Sequence, residues 1–167
     1  MSKAENSSIS KSTELLIYKI QNSNQTNVEH DSIQSVICKI VEKSYEANKR
    51  CLLLCNSEEE VELFDNKLWT YSKLSFIPHG SKYSISNNDA IYCQTWISEE
   101  LVYINNPNYL INLGQLLGFK YNKYFEKIIE ITHNTNDNID TIKNKYDITF
   151  NKCTLWIQNN GKWIKSN

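Results

Sequence analysis

Apolar and polar positions fall in short blocks along the chain, and their spacing predicts strands and helices in turn. ELLIYKI (Glu14–Ile20) is short, apolar and partly β-branched, which predicts a first strand. After the polar QNSNQTN, the stretch Val28–Asn48 carries Ile33, Val36, Ile37, Ile40, Val41 and Tyr45 near the three-and-four spacing of an amphipathic helix, with Asn48 at its end. RCLLLC (Arg50–Cys55) is a continuous apolar run between turn signals, as in a strand covered on both faces of a parallel sheet. Ser57 followed by Glu60 is a capping-box pattern. It opens a helix whose packing residues are Val61, Leu63, Phe64, Leu68 and Trp69. Glu58, Glu59 and Glu60 oppose the positive end of that helix, so the acid cluster needs no catalytic role.

WTYSKLSFIPHG (Trp69–Gly80) breaks the pattern, because a polar turn is expected after the second helix and large apolar residues stand there instead. Core packing, a ligand pocket and a docking patch all fit such a stretch. Beyond a loop at Ser81–Asp89, the runs Ala90–Ile97, Leu101–Ile104, Tyr109–Leu113 and Phe125–Ile131 read as strands, and Leu116–Tyr124 fits either state. A helix is expected from Asn138 to about Phe150, with Ile139, Ile142, Tyr146 and Phe150 on one stripe. The closing TLWIQNNGKWIK reads as a hairpin or irregular tail around Asn-Gly. The order of elements predicts one α/β domain over residues 14–167, with a mostly parallel, twisted, Rossmann-like sheet flanked by helices. The polar residues 1–13 read as a disordered tail without the apolar core of a signal peptide.

Composition narrows the function. Eighteen basic and nineteen acidic side chains leave a net charge of -1, which disfavours bulk nucleic-acid or membrane-surface binding. No apolar run reaches the roughly 20 residues that cross a bilayer. The five cysteines sit in apolar or mixed segments and read as reduced thiols of a cytosolic protein. The first strand is followed by no glycine, and Gly80, Gly114, Gly118 and Gly161 form neither a dinucleotide fingerprint nor a Walker loop. His30, His79 and His133 have no metal-ligand spacing, and no nucleophile elbow is present. His79 is the best catalytic candidate, set against the plainer role of hydrogen-bonding a loop backbone. Residues 139–167 carry a net charge of +3, and Tyr146, Phe150, Trp156 and Trp163 interleave with their lysines. That leaves weak, salt-sensitive single-strand binding open.

The stretch from Val36 to Gly80, above all LWT…SFIPH, resembles the chi-subunit family of bacterial DNA polymerase III. NPNYLINL (Asn106–Leu113), FEKIIEI and IKNKYDITFNKCTLWIQNNGKW resemble later segments of the same family, so the likeness covers about residues 14–165. It implies a Rossmann-like fold without catalysis, metal or cofactor, and a cytoplasmic accessory role in the polymerase assembly. Two partners follow from it: the psi subunit or an equivalent clamp-loader protein, and the acidic C-terminal tail of single-stranded-DNA-binding protein. Little or no direct DNA binding is implied. By position, the psi-facing patch is Trp69, Phe76 and Pro78, with Leu68 and Ile77 behind, so at least two of the first three are expected at the surface. The tail site is Lys143 and Tyr146 with an apolar shelf from Ile142 or Ile139, helped by Lys145 or Lys152. Asp140 and Asp147 stand where the family tends to carry bases, and Thr132 where it carries an aliphatic. Each Asp repels an acidic tail within a Debye length of about 8–10 Å. The competing reading is a nucleotide-dependent enzyme on the same fold.

Overall fold

The computed structural model describes residues 12–20, 33–71, 76–117, 125–134, 136–146, 148–159 and 162–166. Its elements run β1 (Thr13–Lys19), α1 (Ile33–Glu46), β2 (Cys51–Leu54), α2 (Glu58–Tyr71), β3 (His79–Ser81), β4 (Thr95–Ser98), β5 (Tyr109–Asn112), β6 (Lys127–Thr132), α3 (Ile139–Lys143), β7 (Phe150–Asn159) and β8 (Lys162–Ser166). The strands form one sheet in the order β3-β4-β2-β5-β6-β1-β7-β8. Every pairing is parallel except the β7–β8 hairpin at one edge. The expected mostly parallel α/β sheet is therefore the observed one.

Topology divides the core in two. From β1 to β2 to β3 the chain moves toward one edge, and α1 and α2 pack on one face with Leu53, Ile97, Ile111 and Ile129. From β3 onward it moves back toward the other edge. Those connections pack on the opposite face with Leu15, Ile17, Leu52 and Leu110. Right-handed crossovers require this reversal of face with direction. β2 lies near the centre, and all four of its residues are buried. α1 ends as expected near Asn48, which takes the left-handed conformation at φ 54°.

Three expectations need correction, and one strand went unforeseen. Only β4 (Thr95–Ser98) of the run Ala90–Ile97 is a strand. Ala90–Tyr92 is a 3-10 turn, because local bonds from Ala90 N–H to Asn87 O and from Cys93 N–H to Ala90 O precede the pairing with β3. Leu101–Ile104 is no strand; its side chains pack on the second face of the sheet. α3 stops at Lys143, since the chain must turn to pair Phe150 with Thr13. β3 is too short for periodicity to signal and was not expected. Of the terminal segment read as disordered, residues 1–11 lie outside the described residues, as do residues 72–75 of the apolar stretch Trp69–Gly80, Asp147, the Asn160-Gly161 turn and the first turn expected of α1.

Candidate functional site: an aromatic patch at the end of α2

Val61, Phe64 and Leu68 form the buried stripe of α2. Trp69 follows Leu68, and the roughly 100° turn per helical residue points it away from the sheet. Its cap is a variant of the expected box. Ser57 Oγ accepts from Glu60 N–H at 3.4 Å, and Glu60 Oε2 accepts from Asn56 N–H at 2.7 Å, one residue before the usual position.

Trp69 is 58% exposed and Phe76 57%, whereas Leu68 and Ile77 are buried and Pro78 is half-buried. Two of the three surface candidates thus stand at the surface with the expected pair behind them. The Trp69 and Phe76 ring centroids lie 5.2 Å apart. The His79 ring sits beneath them, 5.0 Å from Trp69 and 6.3 Å from Phe76. Its Nδ1 lies 2.7 Å from Ile77 O, and its Nε2 lies 3.1 Å from Asp65 O and 3.6 Å from Asp65 Oδ1. Carbonyl oxygens only accept, so a neutral ring with one N–H serves one of them at a time. His79 thus hydrogen-bonds one backbone carbonyl, which is the loop-backbone role, and staples Phe76 to the end of α2 through its ring contacts with Phe76 and Trp69. Trp69 also closes one end of a depression of about 620 Å³ on the outer face of α2, walled largely by polar Glu59, Glu62, Asn66 and Thr70.

The tail-site candidates fall differently. Ile142 and Tyr146 are buried in the second core cluster, and Ile139 is only partly buried against it. The apolar shelf expected from Ile142 and Tyr146 is therefore interior, because the α3 stripe packs on the sheet. Tyr146 Oη donates to Glu130 Oε2 at 2.5 Å, and Asn112 Nδ2 donates to both of these oxygens, at 3.0 and 2.9 Å. Lys145 Nζ is held 2.9 Å from Glu130 Oε1 and 3.8 Å from Asp137 Oδ2. Burial raises the Glu130 pKa, outweighing the bonds from Tyr146 and Lys145 that lower it. Lys143 and Asp140 remain toward the surface of α3, and Lys152 is engaged with Glu14 at 2.9 Å. Thr132 is buried and donates to Asp137 Oδ2 at 2.5 Å. This polar cluster at the ends of β5 and β6 had no sequence motif; its only signal was Glu130 inside an apolar strand.

The nucleotide reading has a defined place to be tested. In doubly wound sheets ligands bind where neighbouring strands exit to opposite faces, here beside β2, between it and β4 and β5, and beside β1, whose following residues 21–32 lie outside the described residues. Gln115 fills the first of these: its Nε2 donates to Cys55 O and to Glu99 O, the latter at 2.9 Å. Asn112 Oδ1 accepts from Gln115 N–H at 3.0 Å, and Asn56 Nδ2 donates to Leu113 O at 2.8 Å. The chain's own amides thus occupy the crevice beside β2. Of the four aromatics expected to interleave with lysines, Tyr146 is buried and packs edge-on to Phe150 at 5.7 Å, while Trp156 and Trp163 are half-buried. The five cysteines are free, and burial pushes Cys38 up to about 11 and Cys51 up to about 12. Among the described residues no helix is long and apolar enough to cross a membrane, and no three potential ligands are grouped for a metal ion.

The sequence profile of the family described as "DNA polymerase III chi subunit, HolC" matches residues 17–151. A protein of Rickettsia prowazekii (strain Madrid E), named "Probable DNA polymerase III subunit chi", is 33% identical over 143 residues, covering 77% of this chain and 82% of that protein.

Proposed function

The chain belongs to the DNA polymerase III chi subunit family, and from that membership we propose that it acts without catalysis, joining the clamp loader to single-stranded-DNA-binding protein during replication. Psi or an equivalent clamp-loader protein docks on Trp69, Phe76 and Pro78. The acidic tail of single-stranded-DNA-binding protein docks on the outer face of α3. The single observation that carries the first contact is the exposed Trp69–Phe76 pair, at 58% and 57% of full exposure over the buried His79 ring. Large, pre-ordered aromatic rings are what interface hot spots use. For the second contact, support is narrower: Lys143 supplies the ammonium and Ile139 the adjacent apolar edge. Ile142, Lys145 and Tyr146 act there by holding α3 in place rather than by touching the tail.

Calorimetry with an acidic peptide ending in Phe tests the tail contact. Saturable heat for the wild type, reduced in Lys143→Ala and increased in Asp140→Lys, is expected. No heat at millimolar peptide would remove the tail contact and leave the clamp-loader contact standing.

A further inference from the structure

The Trp69–Phe76 pair is small for the contact it is proposed to make. Covering a large aromatic side chain removes roughly 150–250 Å² from water. At 58% and 57% exposure, the two rings together offer roughly 200–250 Å². A standard interface takes roughly 800 Å² from each partner. More apolar surface must adjoin them, and the structure carries it on the turn before the neighbouring strand. Tyr92 is 77% exposed and Ile91 43%, both on the 3-10 turn that leads into β4.

β3 and β4 are adjacent, with His79 paired to Thr95. Phe76 and Tyr92 each stand three residues before those paired positions, at the same end of the sheet. Pro78 O accepts from Gln94 N–H at 2.7 Å and from Thr95 N–H at 3.0 Å, tying the two lead-in segments together. Ala90 and Cys93, on either side of the exposed pair, are buried with Trp96, so the turn is anchored and its two side chains are held outward. Leu68 and Ile77, behind Trp69 and Phe76, belong instead to the core of the α1–α2 face. Exposed apolar residues therefore flank the β3 edge from both faces of the sheet.

The edge is engaged on either side of His79, which disfavours an added strand. Ser81 N–H donates to Ser84 Oγ at 2.9 Å, Ser81 O accepts from Ser84 and Ile85 N–H at 3.1 Å, and Ile77 O faces the His79 ring. A partner therefore grips chiefly by side chains. Among the described residues the charges beside the anchors are Glu62, Asp65 and Asp89 against Lys67, which favours basic residues opposite.

We propose that the docking surface wraps around the β3 edge, with Ile91 and Tyr92 as a second anchor. Its occupant is one clamp-loader polypeptide presenting apolar side chains to both anchors and Lys or Arg to the rim. This rests on the docking reading above.

The test replaces Phe76, Tyr92 or Ile164 singly with p-benzoylphenylalanine in the full-length chain, irradiates cells expressing it, and identifies crosslinked polypeptides by mass spectrometry. Ile164 is 53% exposed on β8, at the opposite edge of the sheet, and serves as the control. The same clamp-loader subunit is expected at Phe76 and Tyr92 and absent at Ile164. With that subunit purified, Tyr92→Ala is expected to weaken binding by about tenfold or more at an unchanged melting temperature. Capture at Phe76 alone, or an unchanged affinity in Tyr92→Ala, would overturn the second anchor and leave the docking reading intact. Capture at neither position would overturn both.

Discussion

Individual side chains set how far the patch and the polar cluster are fixed in place. His79 is buried, and its ring nitrogens face the carbonyls of Ile77 and Asp65. His79→Ala removes the one hydrogen bond the ring donates, at about 1–3 kcal/mol, and the ring on which Phe76 and Trp69 pack. Chemical denaturation should show that loss, and binding of the clamp-loader partner should fall with it. Stability equal to wild type would mean the ring staples nothing. On the other face, Tyr146→Phe removes one hydroxyl that both donates to buried Glu130 and accepts from Asn112. We expect destabilisation of about 1–3 kcal/mol even if the protein never meets an acidic peptide, so stability must be measured beside any binding loss. Glu130 adds a pH signature. Its folded pKa lies above the ordinary value of 4.5 because it is buried. A folded carboxyl that holds its proton to higher pH than the unfolded chain loses stabilising effect as pH rises from about 4.5 through the raised folded value. Urea unfolding across that window should show a downward contribution in the wild type that is missing in Glu130→Gln; equal slopes in the two would contradict it.

At the level of elements, the sequence was most legible where a period persisted. α1, α2, β1, β2, β5 and β6 follow from apolar spacing or from continuous apolar runs. The failures share a cause: an apolar run records burial and not its geometry. Ala90 and Cys93 are as buried in a 3-10 turn as they would be in a strand, and Leu101–Ile104 packs on the sheet without joining it. The stripe Ile139, Ile142, Tyr146 and Phe150 fitted a long helix, yet the structure divides it between a short helix, a turn and the start of β7. What makes so short a helix tenable is its cap. Asn138 Oδ1 accepts from Thr141 N–H at 2.9 Å, and Thr141 Oγ1 accepts from Asn138 N–H at 2.7 Å. Asn138→Ala should therefore cost about 1 kcal/mol and loosen Lys143, read as faster amide exchange across α3. Unchanged exchange would show that packing of Ile142 alone holds the helix.

For the whole molecule, the candidate patch was legible in WTYSKLSFIPHG because exposed aromatics on a turn conflict with local expectation. The α3 site was less so, since sequence spacing put Tyr146 and Lys143 on one face without revealing that Glu130 and Asn112 draw the tyrosine inward. The sheet separates the two proposed contacts: the patch lies by β3 at one edge, and α3 packs against β7 toward the other. Two separated contacts on one rigid sheet are what a bridge requires, and bridging is the central claim. It is tested most directly by sequential binding, with the clamp loader on a surface, this chain added next and single-stranded-DNA-binding protein last. Retention of single-stranded-DNA-binding protein is expected only when the chain is present, with loss in both Phe76→Ala and Lys143→Ala. Equal retention without the chain, or retention undiminished by either substitution, would contradict the account.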